Sequence, residues 1–138
     1  MLKWQIYGWR GGVKGLEEEM RRIVEAVSVL RTAPWQSETQ LHEQVARALE
    51  AFGLSAQHEA KLGGGRRIDF LCGTVGIEVK CGKPERAALL RQLARYAQSE
   101  AISGIVLIVQ RSTMMPRAVG GKPLRVVSLN RQWGISLP

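Results

Sequence analysis

Cysteine and histidine are scarce in this chain, with two of each in 138 residues. Cys72 and Cys81 make neither a disulfide framework nor a zinc motif, and they fall at opposite ends of a predicted hairpin, too far apart to bond. His42 and His58 are too few for a histidine metal site. Long apolar runs are also missing. The best candidate, Ile105 to Val109, is strand-sized and far short of the ~20 residues a membrane span needs. Trp, Gln and Gly interrupt the apolar residues around Lys3 and Arg10, so a signal peptide is not expected there. Cytoplasmic residence without a membrane partner is the default expectation. Acidic residues number 12 against 20 basic ones, leaving a net charge of +8 and a pI near 10.2. Arginine dominates that charge and matches phosphate geometry, which makes nucleic acid the expected partner.

What is present reads as a single α/β domain. A hydrophobic content of 45% fits a folded chain with a real core, and no internal repeat appears. Residues 1–36 read as an N-terminal arm and helix, 37–110 as the core, and 111–138 as a basic loop, a last strand and a tail. Met1 to Gly12 is expected to be a strand or arm. Its Trp4, Tyr7 and Trp9 could anchor it to the domain or a second subunit, or stack on bases. Trp133 in the tail is a further interface candidate. Leu16, Met20, Ile23, Val24, Val27 and Leu30 predict a helix over Gly15 to Arg31, with Glu17, Glu18 and Glu19 at its dipole-favoured start. Ser37 and Gln40 form a capping-box pattern opening a helix to Phe52, and Gly53 closes it. Ser55 to Leu62 reads as a strand, followed by a Gly63-Gly64-Gly65 turn. Pro84 is placed to open a helix over Glu85 to Ser99. Gly104 to Val109 should be an interior strand, and Leu124 to Leu129 the last one.

The hairpin from Ile68 to Lys80 is where chemistry gathers. With a type II′ turn at Gly73-Thr74, Cys72 pairs with Val75, Phe70 with Ile77 and Asp69 with Glu78. Ile68, Phe70, Cys72, Val75, Ile77 and Val79 then share one apolar face, while Asp69, Glu78 and Lys80 share the other. Like charges opposite one another destabilise a sheet, so the two carboxylates ask for a divalent cation. Asp69 and Glu78 are hard oxygen donors suited to Mg²⁺, the Val79 carbonyl can add a third oxygen, and Lys80 can orient a water or stabilise charge on a phosphate.

Gly65-Arg66-Arg67-Ile68-Asp69, Ile77-Glu78-Val79-Lys80 and Gln92-Leu93-Ala94-Arg95-Tyr96 together resemble the PD-(D/E)xK nuclease superfamily, in its RecB-like, virus-type or Holliday-junction-resolvase-like branches. The resemblance covers Ser37 to about Gln110, and Ile68 stands where the motif's proline is usual. It implies a restriction-endonuclease-like αβββαβ core: a mixed central sheet flanked by helices, here with an extra N-terminal helix. It implies a Mg²⁺- or Mn²⁺-dependent deoxyribonuclease, an endonuclease or exonuclease acting on DNA, including branched recombination and repair intermediates. Asp69, Glu78, Lys80 and Gln92 would be catalytic. Glu43 would complete the metal set as the upstream acid, with Glu59 as its rival. Arg66, Arg67, Lys83, Arg86, Arg91, Arg95 and Tyr96 would hold DNA. A domain this small is expected to act as a homodimer or within a larger assembly. A non-catalytic nucleic-acid-binding module or assembly subunit with the same fold is the alternative.

Overall fold

The computed structural model describes residues 2–33 and 35–129, with side chains from Gly15 onward. Trp133 and the side chains of Trp4, Tyr7 and Trp9 lie outside the described residues. The elements are α1 (Leu2–Ser28), α2 (Glu38–Ala51), β1 (Gln57–Gly63), β2 (Arg66–Cys72), β3 (Val75–Lys80), α3 (Arg86–Ala97), β4 (Gly104–Val109), β5 (Ala118–Val119) and β6 (Lys122–Ser128). The strands line up as β1-β2-β3-β4-β6-β5. β1, β2 and β3 are antiparallel neighbours, while β3-β4 and β4-β6 are parallel, so the sheet is mixed. No helix among the described residues is long and apolar enough to cross a membrane.

Two apolar cores sandwich the sheet. On one face, Met20, Ile23 and Val27 of α1 and Leu41, Val45 and Leu49 of α2 pack against Phe70, Val75, Ile77, Val79, Val106 and Ile108. On the other, Leu89, Leu93, Tyr96 and Ala97 of α3 pack against Ile105, Leu107, Val109 and Leu124. β4 is buried along its whole length because it contributes to both cores, which explains its unbroken β-branched and aliphatic sequence.

Ser37 caps α2 as its sequence dictates: its hydroxyl accepts from Gln40 N at 3.1 Å, and the Gln40 side chain accepts from Ser37 N at 2.9 Å. Ser37→Ala removes an acceptor for a helix-end N–H and is expected to cost about 1 kcal/mol in urea unfolding, whereas Ser37→Thr should stay close to wild type.

Four expectations need correction. Residues 2–12 are not an arm but the first turns of α1, because this stretch contains no proline and its glycines weaken a helix without breaking it. Glu17, Glu18 and Glu19 therefore lie mid-helix. Glu18 pairs with Arg21, and Glu19 accepts from the Thr74 hydroxyl at 3.1 Å, tying α1 to the β2–β3 turn. Pro84 does not open α3; Glu85 caps it, its carboxylate accepting from Ala87 N and Ala88 N. Finally, the basic loop after β4 contains β5, which pairs with the first residues of β6.

Candidate active site

The site exists because β2 leaves β3 early. Phe70–Ile77, Leu71–Gly76 and Cys72–Val75 pair as the turn predicts, with Gly73 at φ +61. One step further Asp69 would face Glu78, but the recorded pairing stops at Phe70 and Ile77. β1 follows β2 on both sides of this point: His58 pairs with Phe70, and Ala60 with Ile68. Between them Glu59 sits at φ +52, the one non-glycine residue with positive φ among those described. Such a conformation is costly for a residue with a Cβ and marks a sharp local bend.

The bend switches faces. Phe70 belongs to the core under α1 and α2, whereas Ile68 and Ala60 belong to the core under α3. The uniform apolar face expected from Ile68 to Val79 is thus broken at Asp69. Gly76 supplies the room, since a Cβ there would lie 2.6 Å from Ile68 Cδ1 and 2.9 Å from Ile102 Cδ1. The outer half of the β1–β2 hairpin folds over the α3 face, and Gly63, Gly64 and Arg66 line a cleft with Gln98, Ser99, Glu100 and Ala101.

This departure frees backbone groups of β3. The Val79 N–H donates to Asp69 Oδ2 at 2.7 Å, a side chain taking the place of a strand. Lys80 O accepts from Gln110 N on the β4 side, so alternation along the strand turns the Val79 carbonyl toward Asp69. Glu78 projects to the α3 face and is 2% exposed. Its Oε2 lies 3.2 Å from Lys80 Nζ, and its Oε1 has no hydrogen-bond partner. Burial first, then the Asp69 charge, pushes the Glu78 carboxyl up to about 7 against the opposing pull of Lys80.

Gln92 and Tyr96 close the site from α3. Gln92 Nε2 donates to the Tyr96 hydroxyl at 2.8 Å. Burial first, then the neighbouring Glu78 charge, pushes the Tyr96 phenol up to about 12. Tyr96 is 6% exposed, so it is a wall of the site and not the DNA-holding residue it was expected to be.

The α2 residue that faces Asp69 is His42, not Glu43. His42 Nε2 lies 3.5 Å from Asp69 Oδ2 and is buried with no hydrogen-bond partner. Glu43 is exposed, pairs with Arg47 at 3.5 Å, and lines a separate cleft with Arg31, Trp35 and Gln40. Glu59 is exposed at the bend. Among the described residues no three His, Cys, Asp or Glu side chains converge as a metal-holding group. A pair of carboxylates is nevertheless enough for Mg²⁺, which keeps several waters and binds substrate phosphates. Asp69, Glu78 and the Val79 carbonyl fit that requirement, and the unpartnered buried Glu78 Oε1 is the atom that most needs a cation.

The basic residues divide. Lys83 and Arg86 sit at the N-terminal end of α3, where Arg86 Nε donates to Met114 O at 2.7 Å. Arg91 and Arg95 are exposed along α3. Arg67 is exposed and opposite Lys61 in β1. Arg66 is carried by the bent hairpin to the C-terminal end of α3, about 18 Å of helix from Arg86, so it does not share the first group's location. Gln110, buried just past the end of β4, was not among the expected site residues. Its Oε1 accepts from Gly82 N at 2.7 Å and its Nε2 donates to Ala33 O at 3.0 Å, which fastens the segment after Lys80 to the loop before α2. Cys72 and Cys81 are both free thiols. The chain matches no protein-family model, and it matches neither a curated protein nor a solved structure.

Proposed function

We propose that this chain is a metal-dependent nuclease that hydrolyses phosphodiester bonds in DNA. The observation that carries the reading is the pair of carboxylates beside Lys80: Asp69, freed from the β2–β3 ladder, and the buried Glu78. The element order α2-β1-β2-β3-α3-β4 supports a restriction-endonuclease-like core, and the charge of +8 supports a polyanionic substrate.

Asp69, Glu78 and the Val79 carbonyl would hold Mg²⁺ or Mn²⁺, and His42 approaches Asp69 from α2. When bound, the cation supplies Lewis acidity toward a phosphate oxygen. Lys80 Nζ, 3.2 Å from Glu78, brings a positive charge to orient the attacking water and to stabilise negative charge developing on the phosphate. Gln92 holds the Tyr96 hydroxyl, whose ring walls the site beside Glu78. Lys83, Arg86, Arg91 and Arg95 grip the phosphate backbone, which positions DNA without reading its sequence.

The test is a panel of single-stranded, duplex and branched DNA with Mg²⁺ or Mn²⁺. Wild type should cut at least one substrate and stop on addition of EDTA. Lys80→Ala should lose cutting yet keep a cation-dependent rise in melting temperature, because the carboxylates remain. DNA binding without cutting, and without any cation-dependent rise, would make the chain a binding module instead.

A further inference from the structure

We infer that His58 is a positioning residue: it fixes the tautomer of His42 and so aims the lone pair of His42 Nε2 at a cation held against Asp69. The inference rests on the metal-dependent reading above and concerns a residue that reading does not use.

His42 has two ring nitrogens with different neighbours. Nδ1 lies 3.4 Å from His58 Nε2, and Nε2 lies 3.5 Å from Asp69 Oδ2. Nε2 is buried beside the Asp69 carboxylate and makes no hydrogen bond to it, whereas Nδ1 keeps a hydrogen-bond contact with His58. The neutral tautomer that fits donates Nδ1–H to His58 Nε2 and leaves an Nε2 lone pair facing a carboxylate oxygen. Two such atoms repel unless a cation lies between them. Donors ~2.0–2.2 Å from one metal ion stand ~2.8–3.1 Å apart at right angles and ~3.3–3.6 Å apart at the tetrahedral angle. The 3.5 Å separation falls in the wider of these ranges, as two donors sharing an ion would.

His58 is built to hold this orientation. It stands directly before the Glu59 bend and pairs with Phe70 across β1 and β2. Its ring stacks on Phe70 at 4.7 Å between centroids and 20° between planes, and Phe70 is itself 1% exposed. A histidine that binds metal donates its other ring N–H to an acceptor, and that acceptor sets which nitrogen is free. Here the acceptor is a second imidazole, exposed to solvent and stacked on the buried Phe70 ring.

Two variants separate the acceptor from the stacked ring. His58→Phe keeps an aromatic ring for Phe70 but offers His42 no acceptor. His58→Gln gives up the ring but keeps an oxygen acceptor. Mn²⁺ titration of the full chain, read by loss of the free-ion electron paramagnetic resonance signal, measures affinity without any turnover. His58→Phe should bind Mn²⁺ roughly 10- to 100-fold more weakly, and His58→Gln should recover to within a few-fold of wild type. On a His42→Ala background, His58→Phe should change nothing further. Melting curves in EDTA confirm that each variant is folded. Wild-type affinity in His58→Phe, or an equal loss in His58→Gln, overturns the inference while leaving the metal reading intact. Absence of Mn²⁺ binding by wild type itself overturns both.

Discussion

Asp69→Asn should reduce DNA cleavage by on the order of 10³-fold while leaving the metal-free fold nearly intact. Asp69 has a structural task and an electrostatic one, and this substitution separates them. The structural task is to accept the Val79 N–H that β2 abandons, at 2.7 Å. The asparagine side chain retains a carbonyl oxygen for that bond. The electrostatic task is to place a negative charge beside Glu78, His42 and the freed Val79 carbonyl, and the amide cannot do so. Asp69→Ala is the less informative change, because it also strands a half-buried N–H, at a cost of about 1–3 kcal/mol. Melting of Asp69→Asn in EDTA should therefore resemble wild type, while the cation-dependent rise in melting temperature should vanish. Cleavage within tenfold of wild type would remove Asp69 from the chemistry.

The hairpin shows how far such a site can be read from residues alone. Gly73-Thr74 and the alternation of Val75, Ile77 and Val79 fix the register, and the observed pairs follow it from Cys72–Val75 to Phe70–Ile77. Local chemistry is enough there, because turn type and pleat both act within a few residues. The bend at Glu59 is not local. A glutamate between His58 and Ala60 reads as an ordinary strand residue, and what turns it is Ile68 settling into the hollow above Gly76. The available signal was Gly76 itself, since a glycine inside a strand often marks close approach by another group. The consequence reaches the chemistry. Two opposed carboxylates in a continuous ladder would only repel, whereas the bend frees Asp69 to take the Val79 N–H and lets Glu78 sit buried by Lys80.

Glu43 was expected to face Asp69, and helix geometry makes plain why it does not. At 100° per residue, Glu43 lies about 160° from Leu41 and Val45 and about 120° from Leu49, the buried stripe of α2. His42 lies within about 60° of Val45 and about 20° of Leu49, on the flank that meets the sheet. Counting histidines hid this, because two side chains from separate elements become neighbours only when α2 lies on the β1–β2 pair. The start of α1 was also open to reading. Leu2, Ile6, Trp9, Val13, Leu16, Met20, Ile23 and Val27 recur in alternating steps of four and three, a continuous helical stripe that the aromatic residues near the start obscure.

Glu78→Gln should stabilise the metal-free protein above neutral pH and flatten its pH dependence. The Glu78 carboxyl sits at about 7 in the fold, against an ordinary 4.5, because burial and the Asp69 charge oppose ionisation. In the interval between those values the unfolded chain has released its proton while the fold still holds one, so stability falls as pH rises. The favourable contribution is complete below about pH 4.5, declines through pH 7, and is gone above it. A shift of that size corresponds to roughly 3 kcal/mol across the interval. Glutamine carries no titrating proton, so urea unfolding of the variant in EDTA should lose this slope. The variant should match wild type most closely in acid and exceed it at pH 8. Lys80, whose side chain is 27% exposed, can turn to water when its partner is neutralised. A cation reverses the comparison. It takes the position that the proton vacates, so wild type with Mn²⁺ should recover stability above pH 7, and Glu78→Gln should gain little from Mn²⁺ at any pH. Equal slopes for the two proteins in EDTA would mean that Glu78 ionises without hindrance and that the site is not poised for a cation.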